Sequence, residues 1–176
     1  MTMVKNTLVL ALLGAVAWAF GVSSVGAMSH GGALPRVPQL TIEVAEAAAV
    51  ACANYAKQQE GWRTVNVAVL DKAGDLLYFR REPSSFRGSI DIAINKAWTA
   101  TRFGFPTRAL GENIVNREPG KVHGIQFMDR LIIFPGGLPI VVDGVLIGGI
   151  GVSGATGDQD EECAQAGINA IAGKLK

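Results

Sequence analysis

Few side chains in this 176-residue sequence suit acid–base or nucleophilic chemistry. It has two histidines, His30 and His123. Serine hydrolysis needs a base held beside the serine, and the sequence around Ser153 lacks the GxSxG pattern that places such a nucleophile on a sharp turn. The HExxH pattern of zinc peptidases is also missing. The sequence therefore predicts no nucleophilic triad and no zinc centre, and we assign no catalytic residue.

His123 can perform one kind of chemistry by itself. A haem iron needs only one axial side chain from the protein, so His123 is the candidate metal ligand, with Tyr78 and Met128 as the other candidates. The alternative is a surface or hydrogen-bonded structural histidine. The residues alone favour that alternative, since it is the default interpretation of a lone histidine.

Basic and aromatic side chains alternate through the middle of the chain. Residues 80–130 contain nine basic and five acidic residues, whereas residues 143–162 contain five acidic and no basic residues. The guanidinium fork of arginine binds carboxylates at two points. The candidate contacts for a flat apolar ligand that carries carboxylates are Arg102, Lys96, Phe103 and Phe105. The alternatives are a solvated face above core aromatics, or contacts between subunits through the two oppositely charged regions.

A glycine-rich stretch at residues 148–157 leads into a predicted helix. Backbone N–H groups at a helix N-terminus can hold an anion. The stretch lacks the ending of a P-loop and the GxGxxG spacing of a dinucleotide site, and four acidic residues just beyond it would repel a phosphate. We interpret Gly148 and Gly149 as positions where a helix or another subunit approaches closely, and Ser153 as a residue that borders a ligand pocket.

The composition excludes several classes of protein. A hydrophobic share of 49% and a charged share of 18% exclude wholesale disorder. A net charge of +1 excludes a general nucleic-acid binder, and two cysteines exclude a disulfide-dense miniprotein. We therefore expect one globular domain with no nucleic-acid partner.

Residues 1–27 are typical of a secretory signal peptide. Lys5 precedes an apolar run over residues 7–20, and small residues occupy the cleavage positions before residue 28. The alternative, an uncleaved anchor, is less favoured because the run is short for a crossing of about 20 residues. The remaining chain divides into a flexible lead-in and one domain, residues 28–39 and 40–176. We expect the mature protein to be periplasmic or secreted, in an oxidising compartment and without membrane contact.

Hydrophobic periodicity and turn signals predict the order of the elements. Thr41 and Ser89 are the expected N-caps of the first two helices. The predicted helices cover residues 42–59, 90–103 and 107–110 and a last segment that starts near residue 156. The predicted hairpins turn at residues 71–74 and at Asp143-Gly144, a strong hairpin signal. Two hairpins with helices between them predict an α+β domain, an antiparallel sheet of about five strands flanked by helices in a profilin-like layering.

The two cysteines, Cys52 and Cys163, lie on the apolar sides of the first and last predicted helices. One possibility is a disulfide that joins these helices. The other is a pair of buried free thiols, a common state for cysteine. Because sequence positions give no distance between them, we expect free thiols.

Several motifs taken together resemble a known family. They are the hairpin VAVLDKAGDLL, the helix DIAINKA with the following Thr99-Ala100, and the segments PGGLPI and IGGIGVSG with the following Gln159-Asp160. This set is similar to the GlcG/HbpS-like family of haem-binding, heme-degrading-type domains, which also form the carboxyl-terminal domain of PduO-type proteins. The similarity extends over residues 40–176.

The resemblance implies an antiparallel α+β domain that assembles as a homo-oligomer and binds haem or a related tetrapyrrole. We therefore expect an exported haem-binding protein, in haem scavenging or sensing. Two alternatives stay open. One is a non-haem accessory protein that binds small carboxylates through Arg102, Lys96 and residues 151–154, and the other is a structural oligomer without a ligand.

Overall fold

The computed structural model describes residues 37–116 and 124–175. In chain order the elements are α1 (Ile42–Gln58), β1 (Asn66–Asp71), β2 (Leu76–Arg80), α2 (Ser89–Phe103), α3 (Thr107–Gly111), β3 (Gly137–Val142), β4 (Val145–Ser153) and α4 (Gly157–Ile171). Short helical turns cover Glu112–Asn116, Gly124–Phe127 and Ala172–Lys174. The predicted signal peptide and most of the lead-in lie outside the described residues. Within those ranges, no helix is both long enough and apolar enough to span a membrane.

The described part of the chain forms an antiparallel sheet with the strand order β2-β1-β4-β3. Val67 and Val69 of β1 point into a core that also contains α1 and α4, whereas the alternate residues Ala68 and Leu70 pack against α2 on the other face. The α+β prediction is therefore confirmed, with helices on both faces of the sheet.

The sheet has four strands in the described ranges instead of the expected five or so. The apolar residues 131–134 before β3 do not join the sheet, because the backbone around them is hydrogen-bonded to α2. The N–H of Ile132 donates to Thr99 Oγ1 at 3.0 Å, and that hydroxyl donates to the carbonyl of Arg130 at 3.3 Å. A helix side chain thus satisfies backbone groups that would otherwise pair with a strand.

Glycines in β4 let α2 lie directly on the sheet. A Cβ atom added to Gly151 would lie 2.1 Å from the carbonyl oxygen of Ala93, and one added to Gly149 would lie 2.4 Å from Thr101 Oγ1. The close-approach interpretation is confirmed for Gly149, whereas a Cβ atom added to Gly148 would lie 2.3 Å from the carbonyl oxygen of Leu70 in the neighbouring strand β1. The predicted hairpin turn is also confirmed, since Asp143 and Gly144 have φ angles of 48° and 78°.

The helix starts were predicted with mixed success. Thr41 caps α1 by accepting a hydrogen bond from the N–H of Val44 at 3.4 Å. The expectation that Ser89 caps α2 is wrong, because Ser89 is the first helical residue and Gly88 holds the cap position without a side-chain bond. The buried Ser89 hydroxyl instead accepts from Asn66 Nδ2 at 2.8 Å, which ties α2 to β1.

The expectation of free thiols is also wrong. Cys52 of α1 and Cys163 of α4 form a buried disulfide, with their Cα atoms 4.7 Å apart. The two helices pack closely because Gly167 faces α1, where an added Cβ would lie 2.7 Å from the carbonyl oxygen of Ala48. The sequence shows the apolar side of each helix, but it does not show that the two sides face each other.

Candidate functional site

Lys96 lies in the interior, in the middle of α2. Its Nζ donates to Asp160 Oδ2 and to the carbonyl oxygen of Val152, both at 2.8 Å. The side chains of Lys96 and Asp160 are 1% and 3% exposed. The ring of Phe134 lies 5.0 Å from the ammonium nitrogen. The ammonium group of Lys96 is therefore already paired and enclosed, and its contact with a ligand carboxylate stays a prediction.

Burial governs the protonation of this pair. It lowers the pKa of Lys96 and raises the pKa of Asp160, and the attraction between the two charges opposes both shifts. Asp160 also accepts a hydrogen bond from the N–H of Ala155 at 3.1 Å. The pair therefore fastens α2 to the start of α4, and its geometry suits a structural anchor.

Two guanidinium groups lie near the ring of Trp98, a partly buried residue of α2 that packs against the cluster containing Ala68 and Ala97. Arg102 Cζ lies 5.8 Å from the centre of the Trp98 ring, and Arg130 Cζ lies 5.0 Å from it. Arg130 Nε also donates to Asn95 Oδ1 at 3.2 Å. We call Trp98, Arg102 and Arg130 the Trp98 face. Cations over an aromatic ring are attracted by its negative face, so both guanidinium groups are held at this surface.

Exposed apolar side chains flank the Trp98 face along the chain. Phe105, just after α2, is 59% exposed, and Phe127, three residues before Arg130, is 77% exposed. Met128, a predicted iron ligand, is 46% exposed, while Phe103 is half-buried at the end of α2. Among the predicted site residues, Arg102 and Phe103 therefore belong to α2. Phe105 follows this helix, and Met128 lies two residues before Arg130.

The structure places two other predicted residues elsewhere. Tyr78 packs into the core on the opposite face of the sheet, where its hydroxyl donates to Glu46 of α1 at 3.3 Å. Ser153 is buried at the end of β4, where it pairs with Asn66 of β1. The sheet separates Tyr78 from the Trp98 face. Ser153 lies beside the start of β1, whereas Arg102 lies beyond its end.

His123 lies outside the described residues, immediately before the turn Gly124–Phe127. Its role as an iron ligand stays a prediction. Sequence reasoning included Arg130 only in a charge count and missed its place on the Trp98 face. The contact that brings it there, with Asn95, crosses 35 residues of sequence, so no local signal could have identified it.

Three cavities of the described chain are lined by none of the predicted site residues that the structure describes. A cavity of about 380 Å³ lies between residues 37–40 and the turn after β1, and it is lined by Asp71, Lys72 and Ile147 among others. A second, of about 400 Å³, lies at the opposite end of β1 beside Arg63 and Phe86. The third, of about 300 Å³, lies beside the β3–β4 turn. The Trp98 face is therefore a surface site that sequence reasoning located only in part.

Two curated proteins are similar in sequence to this chain. The chain is 36% identical over 132 residues to the uncharacterized 15.0 kDa protein in the dhaT-dhaS intergenic region of Citrobacter freundii, a match that covers 73% of this chain and 91% of that protein. It is 34% identical over 110 residues to the corrinoid adenosyltransferase PduO of Salmonella typhimurium. That match covers 61% of this chain but only 32% of PduO.

Solved structures share the fold closely. The crystal structure of HbpS matches with a TM-score of 0.70 and 31% identity, over 79% of this chain and 94% of HbpS. The crystal structure of a PduOC:heme complex matches with a TM-score of 0.68 and 30% identity, over 77% of this chain and 96% of that chain. The family described as haem degrading protein HbpS-like matches residues 40–169. The chain therefore belongs to the HbpS-like family, as its motifs indicated.

Proposed function

We propose that this protein is an exported, oligomeric haem-binding protein that acts in haem scavenging or sensing. One observation carries the proposal. A chain that is solved as a complex with haem has the same fold, with a TM-score of 0.68 and 30% identity over 96% of its length. Membership of the HbpS-like family supports the same ligand class.

The Trp98 face, together with exposed side chains near it in the sequence, has the chemistry that haem requires. The porphyrin is flat and apolar with two propionates at one edge, so it needs aromatic surface beside cations. Phe105 and Phe127 supply exposed aromatic rings, and Arg102 and Arg130 supply guanidinium groups held at the surface. Arginine binds carboxylates through two parallel hydrogen bonds. These residues would hold the macrocycle, and the side-chain nitrogen of His123 would bind the iron.

Export is supported by two independent features. The first 27 residues have the pattern of a signal peptide. The disulfide between Cys52 and Cys163 belongs to the oxidising compartments outside the cytoplasm. Together they favour a periplasmic or secreted protein. Self-association is supported by exposed apolar side chains, among them Phe105 and Phe127, since exposed apolar surface commonly marks contact sites.

The small-carboxylate alternative gains no support from the geometry. It would use Lys96, Arg102 and the backbone of residues 151–154. Lys96 is enclosed with Asp160, and Gly151 is covered by α2. Arg102 lies against Gly74 after the end of β1, whereas Ser153 pairs with Asn66 at its start, so Arg102 does not converge with residues 151–154.

Titration of the purified full chain with haem, followed by absorbance, tests the proposal. We expect a saturable shift of the Soret band. The His123→Ala variant is expected to bind with an altered spectrum, and Arg102→Gln is expected to weaken binding about tenfold, because each charge-assisted hydrogen bond to a charged group is worth about 1.5–3 kcal/mol. The control Arg81→Gln removes an exposed arginine that is not part of the Trp98 face, and it is expected to leave the titration unchanged.

Two results would contradict these assignments. A titration without a saturable Soret shift would overturn haem binding. An unchanged spectrum for the His123→Ala variant would overturn the choice of iron ligand while leaving haem binding in place.

A further inference from the structure

A cleft of about 400 Å³ lies at the end of the sheet that is remote from Arg102. It is lined by Arg63, Thr64, Ser84, Ser85, Phe86 and Gly154. Arg102 lies against Gly74 in the turn after β1, whereas Thr64 precedes the start of β1. A strand rises about 3.3 Å per residue, so six residues of β1 separate the two places by about 17 Å. The cleft is therefore a different site from the Trp98 face.

Arg63 is the charged group of this cleft. Its side chain is exposed, and within residues 37–116 and 124–175 it forms no ion pair or side-chain hydrogen bond. By contrast, the nearby Lys57 and Arg80 both pair with Glu82, at 3.0 and 3.3 Å. Arg63 thus keeps its N–H donors for a molecule in the cleft.

Three hydroxyl groups form a chain on the wall of the cleft. Ser85 Oγ donates to the backbone carbonyl of Thr64 at 2.6 Å, so its proton is committed. Thr64 Oγ1 lies 3.1 Å from Ser85 Oγ and 2.9 Å from Ser84 Oγ. When Thr64 donates to Ser85, the exposed Ser84 hydroxyl is free to turn its proton from Thr64 toward a ligand. Ser84 is therefore a donor that can be redirected without breaking the other bonds.

The surroundings favour an anion of small size. Residues 57–63 and 80–87 together contain five basic and two acidic residues, which makes the local potential positive. Phe86 is 50% exposed and forms an apolar wall beside the two donors. Gly154 packs against the segment under the cleft, where an added Cβ would lie 2.3 Å from the carbonyl oxygen of Thr64.

We propose that Arg63 and Ser84 form a binding site for a small organic oxyanion, a carboxylate or a phosphate. The guanidinium fork donates to two oxygens of the anion, and the Ser84 hydroxyl donates to a further lone pair on one of the anion's oxygens. The carbon skeleton of the ligand lies against Phe86. The site stands on residues outside the Trp98 face and does not depend on haem binding.

Amide chemical shifts of the isotope-labelled full chain test this site. Acetate and inorganic phosphate are the two probes, each titrated at constant ionic strength with chloride as the balancing anion. We expect saturable shifts centred on Ser84, Ser85 and Phe86 with at least one probe. Saturation by phosphate alone assigns phosphate esters as the ligand class, and saturation by acetate alone assigns carboxylates.

Variants separate the site from general charge attraction. Arg63→Gln is expected to weaken the saturable binding at least tenfold, and Ser84→Ala several-fold, with the remaining spectrum unchanged. Arg81→Gln loses the same charge from an exposed position that does not line the cleft, and it is expected to bind like the wild type. Shifts that do not saturate, or equal losses in Arg63→Gln and Arg81→Gln, would overturn the proposal. The haem titration of Arg63→Gln is expected to match the wild type, which keeps the two sites separable.

Discussion

Two opposite charges lie inside the protein where α2, β4 and α4 meet. Lys96 and Asp160 form an ion pair at 2.8 Å with almost no exposure. Gly136 makes this possible, because a Cβ at that position would lie 2.5 Å from Lys96 Nζ. A buried pair repays the cost of desolvation only while both partners are present. The pair therefore stabilises the contact of α2 with β4 and α4 as long as neither partner is lost alone.

Single substitutions should show this dependence. Lys96→Met leaves the carboxylate of Asp160 buried without an opposite charge, and we expect it to reduce the free energy of unfolding by about 3–5 kcal/mol. The double variant Lys96→Met with Asp160→Leu is expected to lose less, because it leaves no unpaired charge. Urea denaturation followed by circular dichroism measures both values.

The ion pairs of Arg108 provide a more exposed comparison, since the side chains of Arg108, Asp158 and Glu161 are 37%, 81% and 22% exposed. Arg108 contacts Asp158 and Glu161 on the surface of the same helix, α4. We expect Arg108→Met to cost no more than about 1 kcal/mol, as is usual for solvent-exposed pairs. Equal losses for Lys96→Met and Arg108→Met would contradict the anchoring role of the buried pair.

The elements were predicted well where their signals are local. Thr41 and the Asp143-Gly144 turn specify their structures within a few residues, and both expectations were confirmed. The pairing of β1 with β4 was not predictable in this way, since Asn66 pairs with Ser153 far along the chain. The partner of Lys96 lies 64 residues away, so its burial was also hidden. Local chemistry thus predicts helices and hairpins, while the site depends on contacts between them.

The contact between α2 and β4 is expected to be intolerant of any added side chain. Gly151→Ala would place its methyl group 2.1 Å from the carbonyl oxygen of Ala93 and 2.3 Å from the backbone nitrogen of Ala97. Because both neighbours are backbone atoms, α2 has to move away from the sheet. We expect a loss of about 3 kcal/mol, at the upper end for overpacked cores, measured by thermal or urea unfolding.

Gly173→Ala is the control for that substitution. No described atom lies within 4 Å of the Cβ that would be added there, so we expect a change within about 0.5 kcal/mol. A Gly151→Ala variant as stable as Gly173→Ala would show that α2 does not rest on the glycines of β4.

The disulfide joins the first and last α-helices of the domain, α1 and α4. Cys52 lies in the first helix and Cys163 in the last, 111 residues apart. A cross-link that closes so long a loop restricts the unfolded chain strongly. The disulfide therefore contributes to stability mainly by limiting the unfolded state, in addition to holding α1 against α4.

Removal of the disulfide should destabilise the protein without changing its fold. We expect Cys52→Ala with Cys163→Ala to lower the free energy of unfolding by about 4–5 kcal/mol in the chain-entropy picture. Unfolding curves under oxidising conditions measure this loss. Reductant is expected to lower the stability of the wild type and to leave the double variant unchanged, and an equal response of both proteins would contradict this account.

The strand order also divides the domain into two interlocking parts. The helix α1, the hairpin β1–β2 and α2 come from the chain before residue 117, while the hairpin β3–β4 and α4 come from the chain after residue 123. The parts meet where β1 pairs with β4, and each contributes one cysteine. A single cut between residues 116 and 124 would therefore leave two peptides that migrate together until they are reduced, so an intact band under oxidising conditions would not by itself prove an uncut chain.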